Sequence, residues 1–93
     1  MKERLVMVQL KIFPESNEIN LEDLKRNIAS VLPQTMNIKK IVEEDLAYGY
    51  RVLKAFITMP EETEGGTAKL EEIISSVSGV SQVDVELVWR YEF

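Results

Sequence analysis

Two residue types that carry much of protein chemistry are missing from this chain. Among its 93 residues there is no histidine and no cysteine. The commonest general base, the commonest neutral metal ligand, the thiol nucleophile, the thiolate zinc site and the disulfide go with them. Four stretches remain whose residue types and spacing could act. They are Glu43-Glu44-Asp45, Tyr48-Gly49-Tyr50, Gly65-Gly66-Thr67 and the aromatic terminus Trp89-Arg90-Tyr91-Glu92-Phe93.

Each stretch has a chemical reading and a plain one. Glycines ahead of a helix can cradle phosphate on free N–H groups. A loop of the GxxxxGKS/T type needs a lysine after its last glycine, and here Thr67 follows Gly66. GxGxxG is absent as well. The stretch therefore reads as a helix start, with Thr67 as N-cap and the glycines making a sharp turn, and at most as a partner's edge. Three consecutive carboxylates could hold a hard cation, but the spaced oxygens of an EF-hand loop are lacking. On a strand, neighbours face opposite sides, so these three should diverge. A solvated edge is the reading, with no metal site and no paired-carboxylate hydrolysis. Tyr48 beside Gly49 fits a turn that offers an aromatic anchor; the plain alternative is that both tyrosines cover a hairpin. The terminal aromatics either finish the core or dock outside it.

The positioning elements follow from hydrophobic periodicity. Leu5 to Phe13 alternates, with Val6, Val8, Leu10 and Ile12 on one face, and Pro14 ends the strand. Asn20 reads as an N-cap, and Leu21, Leu24, Ile28, Val31 and Leu32 form one helical stripe that Pro33 stops. Ile38 to Leu46 and Arg51 to Met59 read as strands joined in a hairpin through Ala47-Tyr48-Gly49-Tyr50. A second helix carries Leu70, Ile73, Ile74 and Val77 and stops at Gly79. In the last strand Val83, Val85, Leu87 and Trp89 alternate with Asp84, Glu86, Val88 and Arg90, which places Arg90 on the face away from the core.

The order β-α-β-β-α-β predicts an α+β ferredoxin-like sandwich, a four-stranded antiparallel sheet with two helices on one face. Residues 1–93 make one domain, with no linker or repeat. The formal charge is −5, which disfavours a phosphate-backbone partner and an anionic membrane surface. No apolar run is long enough to span a membrane and the start lacks a signal peptide's apolar core. A cytoplasmic protein with no cofactor is the expectation.

The motifs in order resemble a known family. EEDLAYGYRVLKAFI is similar to the E-E-x-x-A-F/Y-G-x-x-x-L segment of archaeal elongation factor 1-beta. EGGTAKLEEIISSVSGVSQVDVELVWR is similar to that family's EGGT-x-x-x-E-E, I-x-GV and alternating valine tail ending in arginine. The resemblance covers nearly the whole chain. It implies a guanine-nucleotide exchange factor for the translation GTPase elongation factor 1-alpha, with a ferredoxin-like fold and no covalent chemistry. It also implies that Tyr48 matches the aromatic that, in the eukaryotic relative, docks on the GTPase's second domain, with Gly49 bending the turn. That relative's tail directs a lysine toward the GTPase's Mg²⁺ site; this chain has no lysine there, and Arg90 aligns with an arginine of the archaeal tail.

Two other classes fit the same topology. One is a small-ligand regulatory domain. The other is an RRM-like RNA-binding module, whose K/R-G-F/Y-G/A-F/Y strand is only loosely matched: no basic residue precedes Gly49, and Arg51 stands where the second aromatic belongs.

Overall fold

A computed structural model describes residues 4–91. The elements are β1 (Leu5–Pro14), α1 (Leu21–Val31), β2 (Asn37–Asp45), β3 (Arg51–Pro60), α2 (Thr67–Ser75) and β4 (Val80–Tyr91). The strands form one antiparallel sheet in the order β2-β3-β1-β4, so the first and third strands are central. Leu24 and Ile28 of α1 and Leu70 and Ile74 of α2 join Val8, Leu10, Ile12, Leu53, Ala55 and Ile57 in a single buried cluster. Both helices therefore cover the same face, and the fold is the ferredoxin-like sandwich that the pattern predicts.

Local chemistry sets the ends of α1. The Asn20 carboxamide oxygen accepts from the Asp23 N–H at 3.0 Å, while Glu22 and Asp23 stand against the positive end of the helix dipole. Pro33 follows the C-cap residue Leu32 and cannot continue the helix. Only Leu24 and Ile28 of its stripe are fully buried; each contributes roughly 1.5–3 kcal/mol by leaving water.

The start of α2 differs from the expectation. Gly66, not Thr67, is the cap residue, at φ 56°, and no side chain caps this helix. Gly65, at φ 83°, precedes it. Two successive left-handed residues make the turn, a backbone path that only glycine takes without strain. Thr67 is already helical.

The largest departure is in β4. Gln9 faces Leu87 but Leu10 faces Val85, so Glu86 is an extra residue in a bulge. A bulge of one residue reverses the alternation beyond it. Val83 and Val85 lie on the helix side, opposite Ile12 and Leu10. Leu87 and Trp89 lie opposite Gln9 and Met7, on the helix-free side. Arg90, opposite Val6, shares the side of Val83 and Val85 rather than the reverse.

Candidate functional site

The hairpin end of the sheet is built around two tyrosines that do different things. The Leu46 N–H donates to the Tyr50 carbonyl at 2.6 Å, closing the β2–β3 connection over one 3-10 turn, Ala47–Gly49. The Tyr50 hydroxyl donates to the Pro14 carbonyl, tying the hairpin to the end of β1. Tyr50 is a brace. Tyr48 is fully exposed and sits at φ 63°, ψ 29°, in the left-handed region that a residue with a Cβ rarely adopts. The turn thus holds an aromatic ring in solvent at a conformational cost of about 1–2 kcal/mol. Gly49, at φ 74°, carries the second left-handed step. Beside it a cleft of about 500 Å³ opens between the hairpin and the β1–α1 loop, lined by Pro14, Asn17, Ile19, Glu43, Gly49 and Arg51.

The acidic stretch is distributed over two faces. Glu43 turns to Lys25 of α1 and to Arg51, at 3.5 and 3.2 Å. Glu44 turns to the helix-free side, between Lys11 and Lys54 at 3.5 and 3.4 Å. Asp45 meets Arg51 at 3.0 Å. Among the described residues there is no group of three carboxylates that could hold a metal ion.

Arg90 is at the other end of the sheet. It lies level with Val6, whereas Leu53 lies level with Ile12 and the hairpin extends beyond it. Six residues of strand already span about 20 Å, so Tyr48 and Arg90 belong to separate surfaces. The Arg90 guanidinium, 58% exposed, reaches Glu61 at 3.5 Å. Glu61 opens the loop that leads to Gly65 and Gly66, and its N–H donates to the Arg4 carbonyl at 2.8 Å. The structure therefore joins Arg90 to the start of the loop that leads to the glycine turn, at the end of the sheet away from Tyr48. Trp89 and Leu87 are 41% and 57% exposed on the helix-free side. Of the terminal aromatics, Phe93 lies outside the described residues, as does Glu92. The roles of Tyr50 and Glu61 had no sequence signal: both depend on which loop the fold brings alongside. No described helix is long and apolar enough to cross a membrane.

The sandwich presents an exposed aromatic at one end of its sheet and an exposed arginine at the other. Residues 7–90 match the EF-1 guanine nucleotide exchange domain, and the chain belongs to that family. It is 49% identical over 88 residues to elongation factor 1-beta of Sulfolobus acidocaldarius, covering 95% of this chain and 98% of that one. To elongation factor 1-beta of Staphylothermus marinus it is 49% identical over 85 residues, or 91% and 94% of the two chains. For that of Ignicoccus hospitalis the figures are 43% over 88 residues, 95% and 94%.

Proposed function

We propose that this chain is a guanine-nucleotide exchange factor for elongation factor 1-alpha, binding the GTPase at both ends of the sheet. The match to the exchange domain across residues 7–90 carries the reading. The placement of Tyr48 and Arg90 supports the two-ended arrangement, since a partner must reach along about 20 Å or more of strand to meet both.

Exchange needs no bond to be made or broken here. It is a negative coupling between two ligands of one GTPase, so a factor that weakens GDP binding is itself weakened by GDP. Each tenfold loss of nucleotide affinity takes about 1.4 kcal/mol of interface energy. Tyr48 supplies docking: its ring is already in solvent and the turn already sets the backbone that carries it, so little backbone freedom is lost on binding. Arg90 supplies the disturbance at the nucleotide. A guanidinium opposes a bound Mg²⁺ by like charge and competes for carboxylate or phosphate oxygens. Its ion pair with Glu61 is exposed, worth at most about 1 kcal/mol, and is readily exchanged for such a ligand.

The test separates the two ends. Exchange rate is titrated against factor concentration for the native chain, Tyr48→Ala and Arg90→Ala. Tyr48→Ala should shift the titration to higher concentration, and Arg90→Ala should lower the plateau. An Arg90→Ala variant that reaches the native plateau removes Arg90 from the nucleotide site. The absence of any acceleration by the native chain, with binding demonstrated, overturns the function itself.

A further inference from the structure

The residue pattern of β4 and its register disagree, so something must hold the observed register in place. In a regular strand Val83, Val85, Leu87 and Trp89 would share one face. Sliding residues 87–91 by one place along β1 would take Glu86 into the ladder, with Leu87 level with Val8 and Trp89 level with Val6. That slipped register sets both apolar groups on the side of the core and removes the unpaired residue that a bulge leaves. It also carries Arg90 to the helix-free side, away from Glu61. The observed register instead leaves Leu87 and Trp89 57% and 41% exposed. Glu86 does not choose between the two. It accepts from the Gln9 carboxamide at 3.1 Å and pairs with Lys11 at 3.5 Å, and it stands beside Gln9 in both registers. Nor can Arg90 choose if it is to meet a ligand, since its exposed pair with Glu61 must then open.

The contact of Tyr91 with Lys39 does choose. Tyr91 lies level with Leu5, on the helix-free side with Met7, and its ring centroid is 5.9 Å from the Lys39 ammonium. Lys39 belongs to β2 and Tyr91 to β4, the two edges of the sheet, so the pair spans β3 and β1. Between those edges Thr58 and Met7 are 0% and 7% exposed on the helix-free side, which fits a lysine stem and a ring laid across them. Lys39 is itself the extra residue where β2 meets β3, since Ile38 faces Ile57 and Lys40 faces Phe56. An extra residue of this kind re-aims a side chain. We infer that Lys39 is a positioning residue: its contact with Tyr91 holds the end of β4 in the bulged register and so keeps Arg90 on the helix side, next to Glu61. In the slipped register Tyr91 passes to the helix side and the contact is lost. A cation over an exposed ring shifts such an equilibrium about 2- to 5-fold. On the reading under Proposed function, Lys39 thus acts on exchange through Arg90.

The chain has no cysteine and a single tryptophan, Trp89, so the register can be read on the whole chain without any GTPase. Val8→Cys with Val88→Cys sets two thiols level in the bulged register, and Val8→Cys with Leu87→Cys sets them level only in the slipped one. Under mild oxidation the first pair should close readily and the second slowly. Lys39→Ala should speed closure of the second pair about 2- to 5-fold, and Tyr91→Ala should do the same. Lys39→Arg, which keeps a cation over the ring, should hold the native rate. Should the cysteine pairs disturb the core, Trp89 emission serves in their place: Lys39→Ala should shift it and Lys39→Arg should not. In exchange, Lys39→Ala should lower the plateau and leave the half-saturating concentration native. A native rate of closure and native emission in Lys39→Ala overturn the proposal. So does a Val8–Leu87 pair that closes in no variant. If closure responds as expected while the plateau stays native, the clasp stands and the role of Arg90 in exchange falls instead.

Discussion

Replacing Tyr48 by glycine should raise the stability of the free protein and lower its affinity for the GTPase, and the opposite signs make the substitution informative. Tyr48 is fully exposed, so removing its side chain costs no packing. Its φ of 63° costs an L-residue about 1–2 kcal/mol, which glycine does not incur. Against this, glycine adds about 0.5–1 kcal/mol of unfolded-state entropy to be lost on folding. The difference is a net gain of up to about 1.5 kcal/mol. For a domain of this size that raises the melting temperature by several degrees, on the order of 4–8 °C per kcal/mol. Tyr48→Ala keeps the left-handed strain and should leave the melting temperature within about 2 °C of native. Both variants lose the anchor and should bind the GTPase more weakly by roughly 1–3 kcal/mol, about 5- to 150-fold. Scanning calorimetry reads the first effect and titration against the GTPase the second. A clear fall in melting temperature for Tyr48→Gly would refute the strained-anchor reasoning, because it would mean that the ring supports the hairpin. Native affinity in both variants would return Tyr48 to a mere turn residue.

Tyr50→Phe removes the hydroxyl that donates to the Pro14 carbonyl, and should cost about 1 kcal/mol in denaturant unfolding while weakening exchange less than Tyr48→Ala does. Arg90→Ala gives up only an exposed pair with Glu61, so its unfolding midpoint should be native within error even though its exchange plateau falls. Gly79→Ala should destabilise by at least about 1 kcal/mol in the same unfolding assay. Space is not the reason, since the nearest atoms of Ile19 and Leu24 would be 3.6 Å from the new methyl; the backbone at φ 97° is.

The first strand shows why so much of the fold could be read in advance. Val8, Leu10 and Ile12 keep strict alternation with no bulge inside their pairing to β3, so period and burial agree there; only at the start of the strand do they part, where Val6 is half-buried and Met7 on the other face is buried. Asn20 and Pro33 likewise bracket α1 through chemistry confined to a few neighbouring residues. The last strand shows where such reading ends. Val83, Val85, Leu87 and Trp89 keep period two in the chain, but the extra residue at Glu86 appears only when the strand is laid against β1. Arg90 changes face for that reason alone. Thr67 lost the capping role to Gly66 because a side-chain cap needs an extended backbone at its own position, and the glycine turn has already delivered the chain into the helix. The two tyrosines look equivalent in Tyr48-Gly49-Tyr50. They separate only because Tyr50 can reach Pro14, 36 residues earlier, and Tyr48 reaches nothing.

Release of a fluorescent GDP from preloaded elongation factor 1-alpha, chased with excess GTP, is the most direct measure of what this protein does. Added at a small fraction of the GTPase concentration, the native chain should accelerate release in proportion to its amount and turn over many times, as a factor that both GDP and GTP displace must. Acceleration only at stoichiometric amounts, or none at all while the two proteins form a complex, would contradict the account: the sandwich would then be a binder of the GTPase and not its exchange factor.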